Sequence, residues 1–132
     1  MNFWVVVVVS VALFTIRLIF ASGGETMNVQ ELKTVWLDSN NKPADETLID
    51  VREPGEFSGG HVPRARNVPL GTLANATETL KSFKTVYVIC LSGGRSAKAC
   101  QTLKSLLASD TRLINIEGGT SAWIGQGFST EK

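Results

Sequence analysis

Hydrophobic and polar positions along the chain fall into two regimes. In the first, Phe3 to Ile16 carries no charge, Arg17 interrupts, and Leu18-Ile19-Phe20-Ala21 resumes before Ser22-Gly23-Gly24. An apolar run of this length fits the hydrophobic region of a signal peptide, and its extension to Ala21 approaches the ~20 residues of a membrane-spanning helix, with Arg17 near enough to one end to snorkel. Residues 1–24 are therefore expected to be a hydrophobic N-terminal segment and linker, either a transmembrane helix or a signal peptide. The protein would then be anchored in a membrane through residues 3–21, or exported to a periplasmic or other extracytoplasmic space. No Lys or Arg precedes the run, which speaks against a signal peptide, while the small residues Ala21, Ser22 and Gly23 offer a cleavage site. The side of the membrane is left open, because Arg17 favours a cytoplasmic domain and a signal peptide the opposite.

The second regime, residues 25–132, alternates short β-branched runs with amphipathic stretches. Val29, Leu32, Val35 and Trp36 share one helical face, and Asp38-Ser39-Asn40-Asn41-Lys42-Pro43 ends that helix. Thr47-Leu48-Ile49-Asp50-Val51 predicts a strand, followed by a loop-rich stretch from Arg52 to Pro69 and a modest helix over Leu70 to Phe83. Thr85-Val86-Tyr87-Val88-Ile89-Cys90 is apolar without alternation, as expected of a central parallel strand covered on both faces. Arg95 to Ser109 predicts a helix with Ala99, Leu103 and Leu106 on one stripe; Arg112 to Ile116 predicts a strand and Thr120 to Gly125 a last short helix. Alternating strands and helices imply an α/β fold, a parallel sheet with helices on both faces joined by right-handed crossovers. Ligands of such sheets bind at the carboxyl ends of the strands, which gathers Asp50, Arg52 and Cys90 onto one rim.

Composition adds mostly exclusions. The chain has 132 residues, enough for one domain, and 13 basic against 12 acidic side chains, which gives a nucleic-acid backbone nothing to grip. Two cysteines and one histidine do not supply the four ligands of a structural zinc site, so no metal and no other cofactor is expected.

The chemistry concentrates in Cys90-Leu91-Ser92-Gly93-Gly94-Arg95-Ser96. A thiolate is stabilised at a helix N-terminus near cations, and Gly93-Gly94 allow the backbone to curl so that successive N–H groups form an anion nest. Arg95 is expected to add a cation suited to an oxyanion, and Ser92 and Ser96 hydroxyl donors. Cys100 falls mid-helix among apolar residues and is expected to be a packed thiol. His61, in Gly60-His61-Val62-Pro63, is expected to brace its loop.

Four segments in order, Leu48 to Glu53, Gly60 to Pro63, Cys90 to Ser96, and Glu117-Gly118-Gly119 with Trp123 and Gly127, resemble a single-domain rhodanese over about Asn28 to Phe128. The resemblance implies a parallel sheet of about five strands and a sulfurtransferase. Cys90 would take a sulfane sulfur from thiosulfate or a related persulfide and pass it to a thiol or cyanide acceptor, or exchange it with a protein persulfide partner. It also implies that Arg95 shapes the loop and meets the anionic donor, while Asp50 and Arg52 brace the adjoining strand end. Where such domains often carry Gly-Ala, this chain has Arg64-Ala65-Arg66, whose cations are expected either to be solvated or to favour anionic donors. Two alternatives are a cysteine-dependent phosphatase of the same fold and a non-catalytic interaction module. Such phosphatases place one residue more between cysteine and arginine than the four of Leu91 to Gly94.

Overall fold

The computed structural model describes residues 24–39 and 44–132. The apolar run 3–21 lies outside the described residues, and among those described no helix is long and apolar enough to cross a membrane.

The elements are β1 (Glu25–Met27), α1 (Val29–Leu32) continuing as a π-helical turn (Lys33–Leu37), β2 (Glu46–Asp50), α2 (Pro54–Ser58), β3 (Arg66–Asn67), a 3-10 helix (Leu70–Ala76), α3 (Thr77–Leu80), β4 (Thr85–Ile89), α4 (Gly94–Leu106), β5 (Arg112–Ile116) and α5 (Gly119–Gly125). The strands form one five-stranded sheet in the order β1-β5-β4-β2-β3, and every neighbouring pair is parallel. This is the parallel α/β architecture expected from the alternation of elements, with the five strands that the resemblance implies. Parallel neighbours require crossover connections, which is why helices come to cover both faces and the central strands are apolar on both.

Side-chain alternation along β4 divides the core. Tyr87 and Ile89 pack with Trp36, Ile114, Ile116 and Trp123 on one face. Val86, Val88 and Cys90 point to the other, where Ala99, Leu103 and Leu107 of α4 and its end cover them. The nucleophile candidate thus continues the apolar row that faces α4.

The structure adds elements that periodicity could not reveal. β1 is only Glu-Thr-Met, too short to show a pattern, and is held by pairing to β5 and by the ion pair between Glu25 and Arg112. Inside the loop-rich stretch, Pro54 starts α2 beneath a capping box formed by Glu53 and Glu56. Leu106, expected on the buried stripe of α4, is 38% exposed, and Leu107 takes the buried place. The helix ends at Leu106, and the extended backbone of Leu107 turns that side chain inward.

Arg64 and Arg66 are both exposed, and each also rests against an aromatic ring. The Arg64 guanidinium donates to the Trp36 carbonyl at 2.5 Å and lies 5.3 Å from the Trp36 ring centroid, while its backbone N–H donates to Glu131 Oε1 at 2.7 Å. Arg66 lies 5.4 Å over the Phe83 ring. Arg64 occupies the left-handed region, with φ 68°, where a side chain costs roughly 1–2 kcal/mol relative to glycine. Arg64→Ala keeps that strain and loses the contacts, so it is expected to unfold at lower urea than wild type. Arg64→Gly should be more stable than Arg64→Ala by about 1 kcal/mol. Equal urea midpoints for the two variants would contradict a strained Arg64.

Candidate active site

Cys90 is the first residue beyond β4, and α4 begins only four positions later. Gly93 makes this short connection possible. Its φ of 112° and ψ of −13° lie where only glycine is comfortable, and that conformation aims its N–H at Cys90 Sγ, 3.1 Å away. Gly94 has no positive φ and simply opens α4, so the curl expected of both glycines belongs to Gly93. Ser96, completely buried, places Oγ 3.3 Å from Sγ. Burial pushes the Cys90 thiol up, but the Ser96 hydroxyl and the backbone N–H groups of Ser96, Gly93 and Ser92 outweigh it and hold the thiol below its ordinary value. The loop is a seat for an anionic sulfur.

What keeps these N–H groups pointed inward is the start of α5. Thr120 N–H donates to the Cys90 carbonyl at 2.8 Å, Thr120 Oγ1 donates to the same oxygen at 3.1 Å, and Ser121 N–H donates to the Leu91 carbonyl at 3.0 Å. With its carbonyls occupied from behind, the loop turns its donors to the sulfur. Gly119 permits this approach: a Cβ there would lie 2.5 Å from both carbonyl oxygens.

Arg95 does not stand free over the loop. Its guanidinium binds both carboxylate oxygens of Glu56 in α2, at 2.8 and 3.0 Å, and the side-chain hydrogen bonds from Arg95 hold the Glu56 carboxyl at a pKa of about 2. The cation expected to meet a donor is thus already partnered. Asp50 and Arg52 form a buried pair at 2.8 Å, and Arg52 also donates to the Gly60 carbonyl at 2.8 Å, tying the end of β2 to the Gly60-His61 turn. Asn67 joins the same corner by donating to the carbonyls of Asp50 and Arg52. His61 stacks on Phe57 with centroids 3.6 Å apart and donates from Nδ1 to the Phe57 carbonyl, so its ring is occupied in holding the loop. Cys100 is a free thiol pushed up to about 12 by burial, which leaves it protonated and unreactive at neutral pH. Leu91 and Ser92 are exposed at the mouth, Leu91 by 43%.

Sequence reasoning did not identify Glu56, Thr120 or Asn115, whose Oδ1 lies 2.5 Å from Ser96 Oγ. Glu56 was signalled by the Glu-Pro-Gly-Glu spacing of a capped turn, and Asn115 by being the one polar residue inside Leu-Ile-Asn-Ile. Thr120 carried no signal, because its role depends on where α5 docks.

Comparison with known proteins agrees with this geometry. The sequence profile of the rhodanese-like domain matches residues 32–126. The chain is 43% identical over 79 residues to the Bacillus subtilis protein YqhL, covering 60% of this chain and 61% of that protein, so it spans less than two thirds of YqhL. It is 35% identical over 101 residues to the putative sulfurtransferase YtwF of Bacillus subtilis, covering 76% of this chain and 95% of that protein. The crystal structure of a rhodanese-like domain protein from Staphylococcus aureus matches with a TM-score of 0.64 at 29% identity, over 75% of this chain and 90% of that one. A matched domain, a five-stranded parallel sheet and a cysteine loop at its carboxyl edge together assign this chain to the rhodanese-like family, whose members include sulfurtransferases.

Proposed function

We propose that the domain is a sulfurtransferase that carries a sulfane sulfur on Cys90. The Cys90 thiolate attacks the outer sulfur of thiosulfate or of a related persulfide, forming a Cys90–sulfur bond. The donor's sulfur–sulfur bond breaks, and its electron pair leaves with sulfite or with the donor thiolate. An acceptor thiolate or cyanide then attacks the outer sulfur and returns Cys90 to its thiolate, so the cycle needs no external oxidant. The observation that carries this proposal is the convergence of the Gly93 N–H and the Ser96 hydroxyl on Sγ in so short a loop. Those donors stabilise the Cys90 thiolate with which the cycle begins and ends.

The phosphatase alternative would need a ring wide enough for a phosphate and an arginine turned into it, whereas Arg95 is engaged by Glu56. Turnover assays separate the two: the proposal expects thiocyanate from thiosulfate and cyanide and no hydrolysis of an aryl phosphate. The opposite pair of results would overturn it.

Donor charge is set in part by Glu56. Glu56→Gln removes the carboxylate that neutralises Arg95 and adds one positive charge near the mouth, about 1 kcal/mol of attraction for a dianion some 8 Å away. The KM for thiosulfate is therefore expected to fall roughly threefold to fivefold at low salt, with the gain shrinking as ionic strength rises. An unchanged KM at low salt would show that the Glu56–Arg95 pair does not govern donor charge. The apolar segment 3–21 would hold the domain at a membrane or carry it across one, and N-terminal sequencing of the expressed protein distinguishes these.

A further inference from the structure

The hydroxyl of Ser96 has one proton and more acceptors than it can serve. Its Oγ lies 3.3 Å from Cys90 Sγ, 3.1 Å from the Gly93 carbonyl oxygen and 2.5 Å from Asn115 Oδ1. Asn115 Nδ2 is 3.4 Å from that same Gly93 oxygen. An amide such as Asn115 offers an acceptor at one end and two donors at the other, so its orientation decides which way the serine proton points.

The arrangement with Oδ1 against Ser96 suits a protonated Cys90. The thiol donates to Ser96 Oγ, and the Ser96 hydroxyl donates to Asn115 Oδ1. A thiolate reverses the requirement, since Ser96 must now donate to Sγ. Its oxygen would then face Oδ1 with no hydrogen between them. Turning the Asn115 amide over brings Nδ2–H to Ser96 Oγ and restores the chain, now directed at the sulfur. The turn exchanges a long contact of 3.4 Å to the Gly93 carbonyl for an oxygen facing it, a weak repulsion at that distance, and that carbonyl keeps the Ala97 N–H, which donates to it at 3.2 Å.

The fold places Asn115 where it can act this way. It pairs in register with Val88, two positions before Cys90, and on β5 its neighbours Ile114 and Ile116 point to the opposite core. Its own side chain therefore lies on the α4 face, as Cys90 does. Asn115 also borders a groove of about 750 Å³ running along α4, β5 and β1, so its side chain is not locked on all sides. Of the charged groups near the site, Asp50 pairs with Arg52 from β2 and the residues after it and Glu56 of α2 with Arg95 of α4, while Glu117 after β5 and Lys98 of α4 are exposed. The groups in direct contact with Ser96 Oγ are neutral apart from Cys90 itself.

We propose that Asn115 is a positioning residue that directs the Ser96 hydroxyl, and that its amide turns over when Cys90 passes from thiol to anion. The inference rests on Cys90 being the sulfur carrier, but its test reads thiol ionisation, so either idea can fail without the other.

The test uses the Cys100→Ser protein, in which Cys90 is the only thiol. The side-chain NH2 resonances of Asn115 are followed by NMR as Cys90 is titrated, with iodoacetamide reactivity reporting Cys90 over the same pH range. The expected result is a shift of the Asn115 NH2 signals with the same midpoint as Cys90, lost in Ser96→Ala. Asn115 signals indifferent to the Cys90 titration would overturn the proposal. A second arm uses Asn115→Asp, an acceptor without a donor, which should draw the Ser96 proton to itself and slow alkylation at neutral pH roughly tenfold. In a Ser96→Ala background the same substitution should slow alkylation by less than about threefold. An equal loss in both backgrounds would mean that the aspartate acts by charge alone, and would contradict the relay through Ser96.

Discussion

Cys90→Ser is expected to fold, bind donors and transfer sulfur at least about 10³-fold more slowly than wild type, a loss typical of removing an enzyme's nucleophile. Serine is close in size to cysteine, and the donors converging on Sγ can equally serve an oxygen, so the loop has no cause to collapse. What is lost is the soft nucleophile that forms a bond to sulfur at neutral pH. Cys100 cannot substitute, because burial pushes its thiol up to about 12. Cys100→Ser should therefore keep its rate within about twofold. A Cys90→Ser protein that still turned over thiosulfate or a persulfide at the wild-type rate would place the sulfur carrier elsewhere.

Gly119→Ala should be the most damaging substitution that leaves every polar side chain of the site intact. Gly119 has a φ of 58°, and its added Cβ would lie 2.5 Å from the carbonyl oxygens of Cys90 and Leu91, a separation that backbone cannot yield without moving. The left-handed conformation alone costs an alanine roughly 1–2 kcal/mol, and the hydrogen bonds from Thr120 and Ser121 that must stretch are worth about 1 kcal/mol each. A destabilisation of roughly 3 kcal/mol is expected, read as a lower urea midpoint. Since those bonds hold the loop's N–H groups toward Sγ, sulfur transfer in the folded fraction should also fall, by about 10²-fold, the scale of losing one preorganised donor. Gly94→Ala is the matched control, because a Cβ there meets nothing within 4 Å and no positive φ is required. It should stay within about 0.5 kcal/mol of wild type. Comparable losses at both glycines would contradict the assignment of the close approach to Gly119.

Most of the sheet was legible because its central strands are buried on both faces and so are written as unbroken β-branched runs, and the helices between them as apolar stripes. The same logic placed Cys90 at a carboxyl edge beside Asp50. What stayed hidden was decided by contacts between segments distant in sequence. β1 exists because β5 offers an edge, and its three residues carry no pattern of their own. Arg95 looked free because the carboxylate that claims it is 39 positions away, on a helix one turn long. Arg64 looked like a solvated charge, yet it serves the carbonyl of Trp36, 28 positions away. Gly93 and Gly94 read alike in the sequence, and only the backbone dihedrals separate the one that shapes the cradle from the one that merely starts a helix. A sequence displays what each residue prefers; it does not display which neighbour has already satisfied it.

The central claim is that Cys90 stores one sulfur atom, and intact mass spectrometry after incubation with a donor tests it most directly. Thiosulfate, a small-thiol persulfide and a protein persulfide are each supplied to wild type, Cys90→Ser and Cys100→Ser under non-reducing conditions. The predicted result is a gain of the mass of one sulfur atom in wild type and Cys100→Ser from at least one donor. The gain should be absent in Cys90→Ser and reversed by cyanide. A wild-type protein that gains no sulfur from any of the three donors, or one that gains it equally in Cys90→Ser, would contradict the claim.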